Sequence, residues 1–169
     1  MDAESEVTTL ILNGDFTNNC NLYRNYHKQF IRDGMVNAGA FAFEGGMSVD
    51  WDKYTSPDEC IIRVGLTYKT GKTDFKNHSD FELLSLNVKD IKMIEGVSSI
   101  NFTPIPKNQE EIGKPYNVSH SDVWFVDPEL RLKFTYIANK IEVNREYIDK
   151  KVDEIKRRNE AIASAKKID

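Results

Sequence analysis

Met47-Ser48-Val49-Asp50 and, a few residues on, Ser56-Pro57-Asp58-Glu59-Cys60-Ile61-Ile62-Arg63-Val64-Gly65 form the stretch on which the fold turns. The first four residues alternate apolar and polar, the period of a half-buried strand. The second run opens with the signals of a helix start. Ser56 suits the N-cap, and Pro57 suits the first helical position because its missing N–H has no partner to lose there. Glu59 completes a capping box and favours the positive end of the helix dipole. A short helix is expected from Pro57 to about Val64, with Gly65 as its left-handed cap.

The elements after this strand and helix do not form a regular βαβ repeat. Leu66 to Tyr68 and Phe81 to Val88 read as strands around a polar loop at Lys69 to Asp80. Ile91 and Ile94 mark one helical turn ended by Gly96, and Ser98 to Pro104 reads as a further strand. Upstream, Leu22 to Phe43 has extended character broken by a turn at Asp33-Gly34, and Val7 to Leu12 reads as a strand or arm closed by Asn13-Gly14. Downstream, a long loop from Ile105 to Ser119 leads into a strand over Asp122 to Val126. Asp127-Pro128-Glu129 then opens an amphipathic helix with Leu130, Phe134, Ile137 and Ala138 on one face. The mixed order points to α+β: a small mixed or antiparallel sheet with two or three short helices and a long C-terminal helix. The division expected is an α+β domain over 1–140 and a charged amphipathic helix over 141–169.

The tail carries its own pattern. Ile148, Val152, Ile155, Asn159 and Ile162 follow a four-three-four-three spacing, which is one narrow heptad seam with an asparagine at an a position. Around it, Lys140 to Asp169 holds nine basic and seven acidic side chains, net +2, and leaves a body of net -6. A homodimer through a helix from about Asn144 to Ala165 is the expectation. The competing arrangement packs the same stripe back on the chain's own domain.

Composition bounds the function classes. The chain has 169 residues, 40% hydrophobic and 30% charged, the profile of an ordinary globular domain. Its net charge of -4 argues against nonspecific nucleic-acid binding, which needs a positive field. The acidic N-terminus lacks the pattern of a secretory signal, and no stretch reaches the roughly 18 apolar residues of a membrane span. A cytoplasmic protein is expected, with no membrane partner and with Cys20 and Cys60 as free thiols.

Motifs of common enzymes fail. Gly71-Lys72-Thr73 lacks the glycine that a phosphate-binding loop needs five positions earlier, where this chain has Leu66. GxSxG, HExxH and GxGxxG are absent. His27, His78 and His120 lie far apart without ligand spacing, so no metal and no cofactor is expected. A set of polar residues among apolar ones remains. An extended Tyr23-Arg24-Asn25-Tyr26-His27 puts Arg24 and Tyr26 on one face of a strand and Tyr23, Asn25 and His27 on the other. Ser48 and Asp50 share a face, as do His120 and Asp122. Such groups suit acid and base work, since histidine titrates near neutral pH and a carboxylate can fix its tautomer. The structural alternative makes Arg24 a salt-bridge partner of Asp50 or Asp52, and His120 a hydrogen-bonded buckle between loop and strand.

The array Leu22-Tyr23-Arg24, Asp33-Gly34, Ala40-Phe41, Met47-Ser48-Val49-Asp50, Ser56-Pro57-Asp58-Glu59 and Ser119-His120-Ser121-Asp122-Val123 resembles a family of small, uncharacterised bacterial proteins. Their pattern is an arginine-bearing opening strand, an Ala-Phe, a Leu-Ser-Val-Asp-like strand and a late Ala-His or Ser-His. The likeness covers about residues 20 to 140, departs in having Met47 for leucine, and implies a domain rather than a chemistry. Leu22-Tyr23-Arg24 also resembles the opening strand of ADP-ribosyltransferase-like folds, which hold NAD there.

Two functions are therefore expected in competition. The first is an interaction or regulatory module that self-associates or binds a protein through its C-terminal helix. The alternative is a small transferase or nucleic-acid-processing enzyme whose cleft gathers Arg24, His27, Ser48, Asp50, His120 and Asp122, with Arg24 binding a phosphate and His120 as general acid or base.

Overall fold

Helix α1 (Pro57–Gly65) begins as its sequence requires: Ser56 Oγ accepts from the Glu59 N–H at 3.4 Å, and Glu59 Oε2 accepts from the Ser56 N–H at 2.8 Å. Its end differs from expectation. Gly65 is the last helical residue and is not in the left-handed region. It is small because a Cβ there would lie 3.0 Å from both Val152 Cγ2 and His78 Nδ1. Close packing, not a cap, selects the glycine.

The computed structural model describes residues 16–41 and 46–165, so the Val7 to Leu12 run and positions 42–45 lie outside the described residues. The strands are β1 (Asn21–His27), β2 (Ile31–Arg32), β3 (Met35–Val36), β4 (Met47–Trp51), β5 (Phe81–Asn87), β6 (Val97–Phe102), β7 (His120–Phe125) and β8 (Asn139–Ile141). Helix α2 (Val88–Met93) leaves β5 directly, α3 (Leu130–Ile137) precedes β8, and α4 (Arg145–Ala165) follows it. Leu66 to Tyr68 forms only isolated bridges, Thr67 to Gly113 and Tyr68 to Phe75, rather than the strand expected.

Six strands form one antiparallel sheet in the order β6-β7-β4-β1-β5-β8, and β2 and β3 form a separate hairpin. Asp33 (φ 52°) and Gly34 (φ 75°) supply the two positive angles that its two-residue turn demands. The class is α+β with an antiparallel sheet and a long C-terminal helix.

Strand alternation divides the apolar residues between two cores. One face of the sheet turns Leu22, Tyr26, Val49, Trp51, Val123 and Phe125 toward α2, α3 and the turn at Ala38–Phe41. On the other face, Leu83 of β5 meets Cys60, Ile61 and Ile62 of α1 and Ile148 and Val152 of α4.

Helix α4 is thus part of the domain rather than a separate tail from 141 onward. Its start is fastened at four points. Asn144 Oδ1 accepts from the Tyr147 N–H at 3.1 Å, and the Asn144 N–H donates to Asp58 Oδ1 in the first turn of α1 at 2.8 Å. Arg145 Nη2 donates to the Phe81 carbonyl at 2.6 Å, and Asp149 Oδ1 lies 2.7 Å from His78 Nε2. None of the described helices is long and apolar enough to cross a membrane.

Candidate functional site

The register of the sheet places the polar residues of β4 and β7 together. Asp50 lies opposite His120 and Ser48 opposite Asp122, while Tyr23 of β1 lies opposite Asp50 and Asn101 of β6 opposite Asp122. Directly opposed antiparallel residues point to the same face. Four of the candidate residues, Ser48, Asp50, His120 and Asp122, therefore share the α1 face. Helix α1 covers that face over Tyr23 and Leu83, and the loop from 103 to 119 turns over part of the remainder.

His120 and Asp122 are joined through Thr103. The Thr103 hydroxyl donates to Asp122 Oδ2 at 2.9 Å and lies 2.9 Å from His120 Nδ1, which is 3.0 Å from the Thr103 carbonyl. A carbonyl only accepts, so this contact holds the proton on Nδ1 and leaves Nε2 facing Asp122 Oδ1 at 4.0 Å. The histidine buckles loop to strand, the structural alternative of the two expected for it.

Asp50 is the buried centre of a second network, at 5% exposure. Its Oδ1 accepts from Asn117 Nδ2 at 2.6 Å and from Ser119 Oγ at 3.1 Å, and its Oδ2 lies 3.4 Å from Arg63 Nη2. The same Nη2 donates to Thr55 Oγ1 at 2.8 Å and to Ser119 Oγ at 3.2 Å. Burial, followed by the charge of Asp50, pushes the Cys60 thiol well above its ordinary range.

The ion pair expected between Arg24 and Asp50 or Asp52 is made at Asp50 by Arg63 instead. The β1/β4 ladder ends at Tyr23 and Asp50, and Arg24 occupies the gap beyond, donating Nη1 to the Ser48 carbonyl at 2.9 Å and Nε to the Ala40 carbonyl at 3.1 Å. Burial lowers its pKa, with the charge of Asp50 opposing. Asp52 accepts from the backbone and side chain of Asn21. His27 lies at the far end of β1, where Nδ1 accepts from the Gln29 N–H at 3.0 Å and the ring stands edge-on to Phe81. The six residues of the expected cleft do not converge. His27 caps a 3-10 turn, and Arg24 secures backbone carbonyls.

Not foreseen from the sequence is the cavity beside Asp50, of about 600 Å³, with its wall of Cys60, Arg63 and Val64 from α1 and Thr67 just past the helix end. These four fall at i, i+3, i+4 and i+7, the spacing of one helix face, and a lone arginine on a stripe that is otherwise uncharged was the available signal. Lys76 faces the same cavity. Burial, then the charge of Arg24, lowers its pKa.

A groove of about 600 Å³ lies between the loop at 107–115 and the C-terminal half of α4. The helix seam divides there. Ile148 and Val152 are fully buried within the chain, which removes both from the residues expected to meet a partner helix, and Ile155 and Asn159 are half-buried. Ile162 is 50% exposed at the groove, opposite Ile112 at 51%. Glu111, Gly113 and Pro115 line the groove on one side and the Asp50 cavity on the other. Among the described residues no group of three or more His, Cys, Asp and Glu side chains is placed to hold a metal ion.

No family model, curated protein or solved structure matches the chain.

Proposed function

We propose that the protein is an interaction module that self-associates through the groove between α4 and the 107–115 loop, with a second copy of the chain as the occupant. The observation that carries this reading is the patch's self-complementarity. Its apolar members lie on both walls of the groove, Ile112 and Pro115 on the loop and Ile155 and Ile162 on the helix. Its charged rim holds both signs, Lys107 and Arg158 with Glu110 and Glu111. A two-fold contact brings each patch against its own copy, so that apolar walls can cover apolar walls and cations can meet carboxylates. The contact uses the unburied end of the helix seam, from Ile155 to Ile162, in place of a coiled coil over its whole length.

Sedimentation equilibrium at tens of micromolar tests it. The expected result is a dimer for the full chain and a monomer for Ile162→Glu and for Ile112→Glu, both folded with an unchanged melting temperature. A monomeric full chain, or a dimer indifferent to both substitutions, overturns the reading.

A further inference from the structure

The cavity beside Asp50 carries a charge opposite in sign to that of the whole chain. Its lining holds three cations, Arg63, Lys76 and Lys114, against two carboxylates, Asp50 and Glu111, in a chain of net charge -4. Four of these five are paired with one another. Asp50 meets Arg63 and Glu111 meets Lys114, at 3.4 and 3.1 Å. Lys76 is half-buried, and its ammonium meets no carboxylate or other acceptor among the described residues. The guanidinium of Arg63 is only partly used as well. Nη2 makes all of its contacts with described residues, Nε is buried without an acceptor, and Nη1 has none among the described residues. An ordinary surface lysine stays fully solvated, and an unpaired cation held at a cavity wall beside a guanidinium with free donors is the arrangement that receives an anion.

We infer that this cavity is a binding site for a small organic oxyanion, a molecule bearing a carboxylate or phosphate group. Lys76 supplies the charge that meets the anionic group, and Arg63 Nη1 supplies a directed donor beside it. Asn25, Gln109 and Asn117 offer neutral donors and acceptors for the rest of the molecule. The volume exceeds the needs of a bare ion, which is why the ligand is organic. Burial, then the charge of Arg24, lowers the affinity of Lys76 for its proton, and a bound anion would oppose both effects. The role of Asp50 is to hold Arg63 in place through Nη2 while leaving the other edge of the guanidinium to the cavity. Lys76 and Arg63 line this site and not the self-association groove, with which it shares only the wall from Glu111 to Pro115, so either proposal can fail alone.

Amide chemical-shift titration of the full-length protein with inorganic phosphate and with malonate, against sodium chloride at equal ionic strength, tests it. The expected result is saturable shifts confined to residues around Thr67, Lys76, Gly113 and Asn117, weakened about tenfold or more in Lys76→Gln. Lys72→Gln, a change on the exposed tip of the same turn, is expected to leave the affinity unaltered. Saturation by phosphate alone or by malonate alone identifies the anionic group. Shifts that follow ionic strength, spread over the exposed lysines of α4, or survive Lys76→Gln refute the site. Arg63→Lys keeps the charge and loses the fork, and a retained fold with weakened binding is expected of it.

Discussion

Asp50 and Arg63 meet at 3.4 Å across the strand-helix interface, and each is the other's principal charge partner. Asp50 is 5% exposed, so its carboxylate is stable there only because Arg63, Ser119 and Asn117 replace water. Asp50→Ala is expected to cost about 3 kcal/mol or more, since it strands a largely buried guanidinium. Replacing both partners, Asp50→Leu with Arg63→Met, is expected to recover much of that loss. Urea unfolding of the single and double variants measures the coupling. Additive losses would mean that the pair contributes no coupling energy.

The heptad seam serves two masters, and stability separates them. Ile148→Ala removes a fully buried side chain from the α1–α4 core and is expected to cost about 2–5 kcal/mol. Ile162→Ala, at a half-exposed position, is expected to change stability by no more than about 0.5 kcal/mol. A chain ending at Val143 loses Ile148 and Val152 together and is expected not to fold, which thermal denaturation followed by circular dichroism reads directly.

Tyr26, Glu82 and Lys140 give the fold a dependence on pH at both extremes. Burial, then the charge and hydrogen bond of Glu82, pushes the Tyr26 phenol up to about 12 from an ordinary 10.0. A raised phenol favours the neutral form, so its contribution is complete below about pH 10 and fades as pH rises toward 12. Glu82 has the opposite sign. Burial by itself would raise its carboxyl, but the hydrogen bond and charge of Lys140, aided by the Tyr26 hydroxyl, hold it below the usual range. That contribution is present above the ordinary carboxylate range and lost as pH falls through the depressed value. Unfolding free energies measured across both windows are expected to lose the alkaline slope in Tyr26→Phe and to reduce the acid slope in Lys140→Met.

Cys20 and Cys60 are both unpaired, one half-buried and the other buried. Because burial and Asp50 disfavour the Cys60 thiolate, Cys20 is expected to react readily with a disulfide reagent in native protein and Cys60 only after unfolding. Equal native rates at the two positions would contradict the assigned environment of Cys60.

Local chemistry was legible in the sequence where it acts over a few residues. The capping box at Ser56 and Glu59, the turn at Asp33 and Gly34, and the alternation that puts Ser48 with Asp50 and His120 with Asp122 all follow from spacing along the chain. Relations set by the path of the backbone were not legible. Arg24 looked like a partner for Asp50 because both sit among apolar residues, but the β1/β4 ladder ends between them and a helix delivers Arg63 to the carboxylate instead. Gly65 looked like a cap because caps are the commonest reason for a glycine at a helix end, whereas the close approach of Val152, 87 positions later, is the actual reason. For the same cause the heptad spacing identified the apolar stripe of α4 without saying that its first half is already covered.

The segment from Glu111 to Pro115 is a partition with a chamber on each side, and it hangs from one nail. The Gly113 carbonyl accepts from the Tyr68 N–H at 2.9 Å, and its α-carbon lies so close to the Tyr68 ring that a Cβ would fall 2.1 Å from Cδ2. Gly113 also holds φ +80°, so no other residue keeps the partition in this place. Two chambers divided by one shared wall obey reciprocity: whatever factor an anion on one side applies to self-association, self-association returns to the anion. Gly113→Ala would act on both sides at once, through the wall they share.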